Sequence, residues 1–555
     1  SGALFYDYVF LMQQIRILSA VVSIFLSGIM TVPVRVHANP QAKTATTPRG
    51  GASALVADGA AALERGDAAI AQQRFRQALR VDPNNVTART YLGLIADRSG
   101  DLEEAEREFG AAAKSAPNSP EARNNYGAIL LKRGRRDEAA RQFEASLRLN
   151  PKQTGALVNL AQIRFEAGVA QDLRSARALF KRALAISPDA ESARALVVIA
   201  LRLKEPEAAK RAYDDYSKLA ASASSTDAAQ HRELGAALFE AKLYTEAEAE
   251  FALALRAEPQ DTKTSVLLAR AYRADEKLDA AERVLNDALK SGTQDPAVYA
   301  ELAEVFESSG QTEHAIPAMR RATELDQHNE AYHFRYAMML TDTDAPQAAV
   351  IRLNEAFKIF PDSAPLWFAM GIAQFQDNKN EDARRAFQKS LELNPKLWGS
   401  FAYLGMIEAD GGQASQAIED YKRALAIENG SPVSHYLLAE AYGKLTPPNE
   451  SDAESHLKSA MALDPGLTQA HLSLGKLYAR QQRLAEAADQ LELVLKADPK
   501  LAEAYYQLGR VYVRQKRQKE GEELLARFQQ LSAEQKQQSE AARRDVLRRL
   551  ADVRF

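Results

Sequence analysis

The chain has 555 residues, of which 46% are hydrophobic and 26% charged, so we expect a folded protein rather than extensive disorder. It carries 71 Lys and Arg against 74 Asp and Glu, and this net charge of −3 lacks the basic excess typical of nucleic-acid binders. It contains no cysteine, which excludes disulfides, cysteine nucleophiles and thiolate metal sites.

The N-terminal segment predicts export. Arg16 precedes an uncharged, mostly apolar run at 17–34, and the small residues of VHA (36–38) would suit a signal peptidase. We therefore expect residues 1–38 to be a signal peptide or an N-terminal anchor, with Met12 as a candidate natural start. The apolar run is near the lower length limit for a membrane span, so both alternatives stay open. The predicted location is periplasmic or extracellular, or anchored in the membrane by residues 17–34.

A nine-residue pattern recurs at a fixed spacing along the rest of the chain. The segment FRQALRVDP at 75–83 returns as FEASLRLNP at 143–151, FALALRAEP at 251–259 and FQKSLELNP at 387–395. The first two start 68 residues apart and the last two 136 residues apart, and both offsets are multiples of 34. A 34-residue frame that begins at Ala52, with the proline in slot 32, gives fourteen repeats. Residues 39–51, before this frame, are polar and aperiodic and predict a flexible linker.

Each repeat predicts two helices, because apolar residues recur at helical spacing on both sides of a break near slot 15. Slot 8 is mostly Gly or Ala, slot 20 is Ala in thirteen repeats, and slot 24 is aromatic or large and aliphatic. Small side chains at slots 8 and 20 let two antiparallel helices approach closely, with the slot 24 side chain filling the space beside them. One such hairpin cannot bury its apolar face alone, so neighbouring hairpins must stack.

This pattern resembles the tetratricopeptide repeat family over about residues 52–531. The resemblance implies an all-α fold, a right-handed superhelical solenoid of about 14 helix-turn-helix units. We expect repeats 1–5 in 52–219, a loop in 220–226 that could divide the array, repeats 6–14 in 227–531, and a C-terminal capping helix in 532–555.

No catalytic or metal-binding motif accompanies the repeats. The sequence lacks HExxH, a glycine-rich phosphate loop and GxSxG. His231, His333 and His435 recur every 102 residues at slot 4. Stacked helices lie about 8–10 Å apart, so three repeats separate these histidines too far to share a metal ion. We therefore expect no enzyme activity, no cofactor and no metal site.

In the family, slots 2, 5, 9, 12 and 13 of the first helix line the concave groove, so the resemblance implies the same role here. These slots hold mainly apolar residues in repeats 9–11 and aromatic or basic residues in repeats 12–14: Phe334, Met338, Phe368, Ile372, Phe375 and Met406, then Tyr436, Lys444, Leu472, Lys476, Arg480, Tyr506, Arg510 and Arg514. Such a stripe suits an extended peptide or a helix with apolar anchors and an acidic end. Ordinary solenoid surface is the alternative interpretation.

Two ligand-binding motifs known in the family are absent from this sequence or present in only a few repeats. The clamp for chaperone C-terminal carboxylates needs Lys at slot 5, and no repeat has it. The asparagine ladder of O-linked GlcNAc transferase has counterparts here only at Asn125 and Asn159. Gripping of a peptide backbone is therefore expected at most in repeats 3 and 4.

The sequence thus predicts an exported, non-catalytic protein–protein interaction scaffold that binds partner peptides or proteins on its concave surface. A self-assembling structural repeat protein and an accessory subunit of polysaccharide or cell-envelope export are the alternatives. The expected partners are other proteins or peptides, with self-association left open. No nucleic acid is expected, and membrane contact is expected only through the N-terminal segment if that segment stays uncleaved.

Overall fold

The computed structural model describes residues 50–221, 227–532, 544, 547 and 548. Within these residues the chain forms 28 helices and no strand, which confirms the predicted all-α solenoid. The predicted signal or anchor segment lies outside the described residues, as do residues 39–49 of the predicted linker and 222–226 of the predicted loop. None of the described helices combines the length and the apolar character that a membrane crossing requires.

The helices pair in chain order, so repeat 1 consists of α1 and α2, and repeat 14 of α27 and α28. The first helices of the repeats are α1 Gly50–Glu64, α3 Val86–Ser99, α5 Pro120–Lys132, α7 Thr154–Ala167, α9 Ala190–Arg202, α11 Ala228–Glu240, α13 Thr262–Ala274, α15 Pro296–Ser308, α17 Glu330–Asp342, α19 Ala364–Gln376, α21 Trp398–Asp410, α23 Pro432–Gly443, α25 Thr468–Arg480 and α27 Ala502–Arg514. The second helices are α2 Ala68–Val81, α4 Leu102–Ser115, α6 Arg136–Leu149, α8 Ala170–Leu184, α10 Pro206–Ala220, α12 Tyr244–Ala257, α14 Leu278–Lys290, α16 Thr312–Leu325, α18 Pro346–Ala356, α20 Asn380–Leu393, α22 Ala414–Ile427, α24 Glu450–Leu463, α26 Leu484–Ala497 and α28 Gln518–Ser532.

The predicted break near slot 15 is a sharp turn with a left-handed residue. Gly66 occupies this position in repeat 1 with φ 87°, and Asp344 and Asn378 occupy it in repeats 9 and 10 with φ 56° and 58°. Left-handed backbone ends a helix and is tolerated best by Gly, Asn and Asp. Many first helices begin at polar caps, as where the Ser363 hydroxyl accepts a hydrogen bond from the Leu366 N–H at 3.0 Å.

The close approach of the two helices depends on slots 8 and 24, as the sequence predicts. A Cβ atom on Gly371 of α19 would lie 2.5 Å from Cε1 of Phe387 in α20, so a larger residue here would force the ring or the helix to shift. Repeat 1 has the same arrangement, with 2.6 Å between a Cβ on Gly59 and the ring of Phe75. The slot 20 alanine of repeat 10, Ala383, is completely buried.

The chain divides into two compact units between Val284 and Leu285, inside α14. The predicted division at 220–226 therefore falls within the first unit. The reason is that α9 contacts α11 directly, and one apolar cluster runs from Val197 in α9 to Phe251 in α12. A single core thus extends from repeat 5 to repeat 6.

A buried polar triad strengthens this junction. The Tyr213 hydroxyl donates to one carboxylate oxygen of Glu250 at 2.9 Å, and Nδ1 of His231 lies 2.7 Å from the other. The three residues come from α10, α12 and α11 and are all buried. Each buried polar group has a partner, so the triad joins the two repeats without leaving an unsatisfied charge.

The last helix of the array, α28, ends at Ser532, and most of the predicted capping segment lies outside the described residues. Its three described residues, Arg544, Leu547 and Arg548, are helical. Leu547 hydrogen-bonds to Tyr403 of repeat 11, and Arg544 pairs with Asp344 of repeat 9. A terminal cap would contact repeat 14, so this part of the segment lies elsewhere on the second unit than the sequence indicates.

Candidate functional site

The second unit contains a cavity of about 1060 Å³ where repeats 8, 9 and 10 bring their hairpin turns together. The walls come from the end of α15 and the start of α16, from the turn between α17 and α18, and from the end of α19 with the turn that follows. Because successive repeats have one length, residues 34 positions apart line the same wall, as Asp344 and Asn378 do.

The cavity has an apolar floor made of residues that the sequence predicts for the concave surface. Met338, Ile372 and Phe375 all line it. Each is nearly buried, and the ring of Phe375 meets the ring of Tyr403 edge-on, with their centroids 5.7 Å apart. The core therefore holds these side chains in fixed positions, and Leu547 belongs to the same buried apolar cluster.

The rim of the cavity is acidic. Every ionisable residue that repeats 8–10 contribute to the wall is a carboxylate, namely Glu307, Asp342, Asp344 and Asp377. Partial burial raises the pKa of Glu307, with Arg335 opposing this effect. Asp342 keeps contact with solvent, yet the surrounding wall removes part of its hydration and raises its pKa, against the attraction of Arg548 and Arg335.

Two of these carboxylates already have a cation within the repeats. Arg335 donates to Glu307 at 2.7 Å, and Nζ of Lys379 lies 2.7 Å from Asp377. The hydrogen bond from Lys379 lowers the pKa of Asp377. Asp344 pairs with Arg544 of the C-terminal segment, and Asp342 is attracted by Arg548 of that segment as well as by Arg335.

Three described residues of the C-terminal segment, Arg544, Leu547 and Arg548, complete the lining of the cavity. Arg544 donates to Asp344 at 3.0 Å, and Arg548 lies close enough to Asp342 to oppose the rise of its pKa. Leu547 is 7% exposed, and its carbonyl oxygen accepts a hydrogen bond from the Tyr403 hydroxyl at 2.9 Å. Two cations thus lie at the acidic rim and one leucine lies between them at the floor.

The other predicted apolar residues have different surroundings. Phe368 is completely buried, and its ring lies 5.9 Å from the rings of both Phe387 and Tyr403. It packs the core between repeats 10 and 11 and offers no surface to a ligand. Phe334 and Met406 are partly buried against the same core and do not line the cavity.

The predicted basic stripe of repeats 12–14 is engaged in local contacts. Lys476 pairs with Glu503, and Nε of Arg480 lies 3.7 Å from Glu450. Arg514 donates to the carbonyl oxygen of Ala479 at 2.7 Å. These contacts join adjacent hairpins, so the cations contribute to solenoid packing.

The aromatic and aliphatic residues of the stripe also pack locally. The guanidinium of Arg510 lies 5.4 Å from the ring centroid of Tyr506. Leu472 is buried in the core of repeats 11–14, and Tyr436 packs against the same core. Burial raises the pKa of Tyr436, so this side chain stays a neutral hydrogen-bonding group. Lys444 follows α23 as its C-terminal cap.

The slot 4 histidines have a structural role. Nε2 of His333, His435 and His471 lies 3.0, 3.2 and 3.1 Å from a backbone carbonyl six residues earlier. The Trp367 ring N–H makes the same contact to Pro361. In these four repeats the slot 4 side chain therefore ties the first helix to the loop before it, whereas His231 belongs to the buried triad. Among the described residues, no three His, Cys, Asp or Glu side chains group closely enough to hold a metal ion.

Sequence reasoning missed the acidic rim and its occupant. Asp342 ends α17 and Asp344 lies in the turn that follows, within the stretch TDTDAP, whose negative charge is visible in the sequence. The C-terminal RRDVLRR run has the opposite charge. These two signals together could have suggested the pairing, but the prediction considered only the first helix of each repeat.

Several family models described as "Tetratricopeptide repeat" match the chain. They match residues 57–122 and 127–191, 238–305 and 451–500, 364–397, and 296–329 and 502–535, which together span more than half of the chain.

Curated relatives share part of this array. Anaphase-promoting complex subunit 3 of Schizosaccharomyces pombe is 20% identical over 45% of this chain and 37% of its own length. Human protein O-mannosyl-transferase TMTC3 is 24% identical over 35% of this chain and 22% of its own length. The matches thus cover well under half of each relative.

Among solved structures, that of the APC/C hetero-tetramer Cut9–Hcn1 is similar at 14% identity and a TM-score of 0.39, over 83% of this chain and 96% of that one. The 34-residue frame, the paired helices and the matches of the repeat models agree with one another. The chain belongs to the tetratricopeptide repeat family.

Proposed function

We propose that this chain is an exported, non-catalytic scaffold that binds other proteins, and that the cavity of repeats 8–10 is its principal binding site. The observation that carries this proposal is the combination of a firm apolar floor with an acidic rim in one concave opening. Protein-binding sites commonly join a buried apolar anchor point to a polar rim. The repeat family and the relative that is a subunit of a multiprotein complex support a role in protein–protein interaction.

Three observations support a function without catalysis. His333, His435 and His471 contact the loops before their helices, and the carboxylates of the cavity face cations rather than a nucleophile. The sequence carries none of the catalytic motifs sought. The match to the mannosyl-transferase covers 22% of that protein, so it does not extend that protein's named activity to this chain.

Export is supported by the sequence of the N-terminal segment, with its apolar run at 17–34 and the following small residues. Fusion of residues 1–51 to a reporter that is active only after translocation tests this part of the proposal. Reporter activity that persists when Leu18 and Ile24 are changed to Asp would contradict it.

Crosslinking of the full chain to its partners in an extract of the native host tests the binding site. We compare the wild type with the double variants Asp342→Asn/Asp344→Asn and Lys476→Ala/Arg480→Ala. The proposal expects that the rim variant loses a partner which the wild type and the stripe variant both capture. Equal capture by all three proteins would show that the cavity is not the binding site.

A further inference from the structure

The described residues of the C-terminal segment complement the wall formed by repeats 8–10 in charge and polarity. The cavity wall contributes four carboxylates and an apolar floor, and the described C-terminal residues contribute two arginines and a leucine. The contact between Arg544 and Asp344 joins residues 200 positions apart in the chain. Such a long-range contact does not follow from the stacking of neighbouring repeats, which explains the rest of the second unit.

The spacing of the three residues is that of one helical face. Positions i, i+3 and i+4 lie side by side on a helix, so Arg544, Leu547 and Arg548 can meet the wall together. The Tyr403 ring is completely buried, and its hydroxyl donates to the Leu547 carbonyl oxygen. If the segment leaves, this buried donor needs a new acceptor, and a bound helix or water would have to supply it.

We propose, on the basis of the function proposed above, that repeats 8–11 form a receptor for a short basic helix with the pattern Arg-x-x-Leu-Arg, and that the C-terminal segment is its resident ligand. A partner protein then binds with a helix of the same pattern and displaces the segment. This assignment reverses the charge expected from the sequence: the ligand is basic, and its acidic counterpart is the receptor.

A ligand in the same chain competes strongly with a free one. A short tether gives the segment an effective concentration on the order of 1 mM at the cavity. Suppose that the segment is docked about nine-tenths of the time, so that about a tenth of the molecules have a free receptor. A free partner then binds about tenfold more weakly than it would bind a chain without the docked segment. Weakening of the resident ligand should therefore strengthen the binding of a competitor.

A fluorescently labelled peptide with the sequence of residues 540–555 is the probe, and the full chain is the receptor. The change Leu547→Asp places a carboxylate on the apolar floor beside an acidic rim, so the resident segment should detach. We expect the probe to bind this variant about tenfold more tightly than the wild type in an anisotropy titration. Equal affinity for both proteins, or no binding to either, would overturn the proposal.

Two further variants, each combined with Leu547→Asp, show which part of the chain binds the probe. Asp342→Asn/Asp344→Asn removes the rim charges while keeping residues that tolerate the left-handed turn at 344, and probe binding should weaken, mainly through the loss of the Asp342 charge near Arg548. Lys476→Ala/Arg480→Ala changes the stripe, and probe binding should stay the same. The opposite pattern would place the receptor in repeats 12–14 and overturn the assignment.

A crosslinking experiment shows whether the segment binds its own chain. The protein has no cysteine, so Asp344→Cys and Arg544→Cys introduce two unique thiols. This pair is solvent-exposed, with side chains 75% and 57% accessible, so its loss should remove little of the docking. We expect a short bis-maleimide to link the two thiols within one monomer. Links only between two molecules, or no links, would overturn the resident-ligand claim.

The outcome separates this inference from the proposed function. If the probe fails to bind while the rim variant still loses a captured partner, the scaffold function stands and the resident ligand is refuted. If the probe binds and the captured partner is insensitive to the rim, the resident ligand stands and the cavity is not the partner site.

Discussion

Repeats 8–10 and repeats 12–14 both present ionisable side chains beside apolar ones, but only the first group forms a receptor. In repeats 12–14 the cations Lys476, Arg480 and Arg514 contact residues of adjacent hairpins. In repeats 8–10 two of the four carboxylates face cations from the far end of the chain. In our proposal, a charged solenoid surface becomes a binding site where the repeats leave part of the counter-charge to the C-terminal segment.

The largest expected effect is a loss of stability that distinguishes core residues from ligand-binding residues. Phe368→Ala should destabilise the second unit by about 3–5 kcal/mol, because the ring is completely buried against Phe387 and Tyr403. The matched change Phe334→Ala should cost clearly less, since this ring is only partly buried. Urea unfolding followed by circular dichroism measures both. A stability like that of the wild type for Phe368→Ala, with partner binding lost, would assign Phe368 to the ligand surface after all.

The next largest effect is a loss of stability when the close contact between α19 and α20 is disturbed. Gly371→Ala places a Cβ 2.5 Å from the Phe387 ring, and the overpacking should cost about 1–3 kcal/mol. Gly443→Ala in repeat 12 is the control, because a Cβ there meets no heavy atom within 4 Å. Thermal melts of the two variants should differ clearly. Equal melting temperatures would mean that slot 8 does not limit the helix approach.

A pH-dependent effect is expected in repeat 12, outside the receptor. His435 and His456 lie with their Nδ1 atoms 2.9 Å apart, and burial lowers the pKa of both. The unfolded chain therefore binds more protons than the folded one as the pH falls below about 6.5, and stability decreases there. Melting temperatures at pH 7 and pH 5 should differ more for the wild type than for His456→Asn. An equal or larger difference for the variant would refute this role.

The smallest effect concerns the basic stripe. Arg480→Ala should change stability by less than about 0.5 kcal/mol, because its pair with Glu450 is exposed and 3.7 Å long. The same change should leave binding of the 540–555 probe unaltered. A loss of probe binding with Arg480→Ala would restore repeats 12–14 as part of the binding surface and remove the contrast between the two regions.

The contacts within one hairpin and between adjacent hairpins could be predicted from the sequence. Gly371 and Phe387 lie in the same hairpin, and a fixed period repeats their contact along the chain. Slot numbering also placed Met338, Ile372 and Phe375 on a common wall. It did not show that Phe368 lies away from the cavity, because its ring packs between Phe387 and Tyr403.

The contact between the C-terminal segment and repeats 9–11 could not be predicted from the repeat pattern. Arg544 and Asp344 are 200 residues apart and share no position in the repeat frame. The charge of each segment is evident in the sequence, but their contact depends on the folded arrangement of repeats 9–11. The sequence analysis considered only the basic stripe of repeats 12–14 and therefore predicted an acidic ligand. The proposal places the site at the acidic rim of repeats 8–10, so its ligand is basic.

Hydrogen–deuterium exchange of the full chain, wild type against Leu547→Asp, tests the central claim most directly. We predict that the variant exchanges faster in the peptides around 338–344, 372–378 and 400–406, because the resident helix no longer covers them, and that peptides from 472–514 stay unchanged. Identical exchange in all peptides of the two proteins would contradict the account.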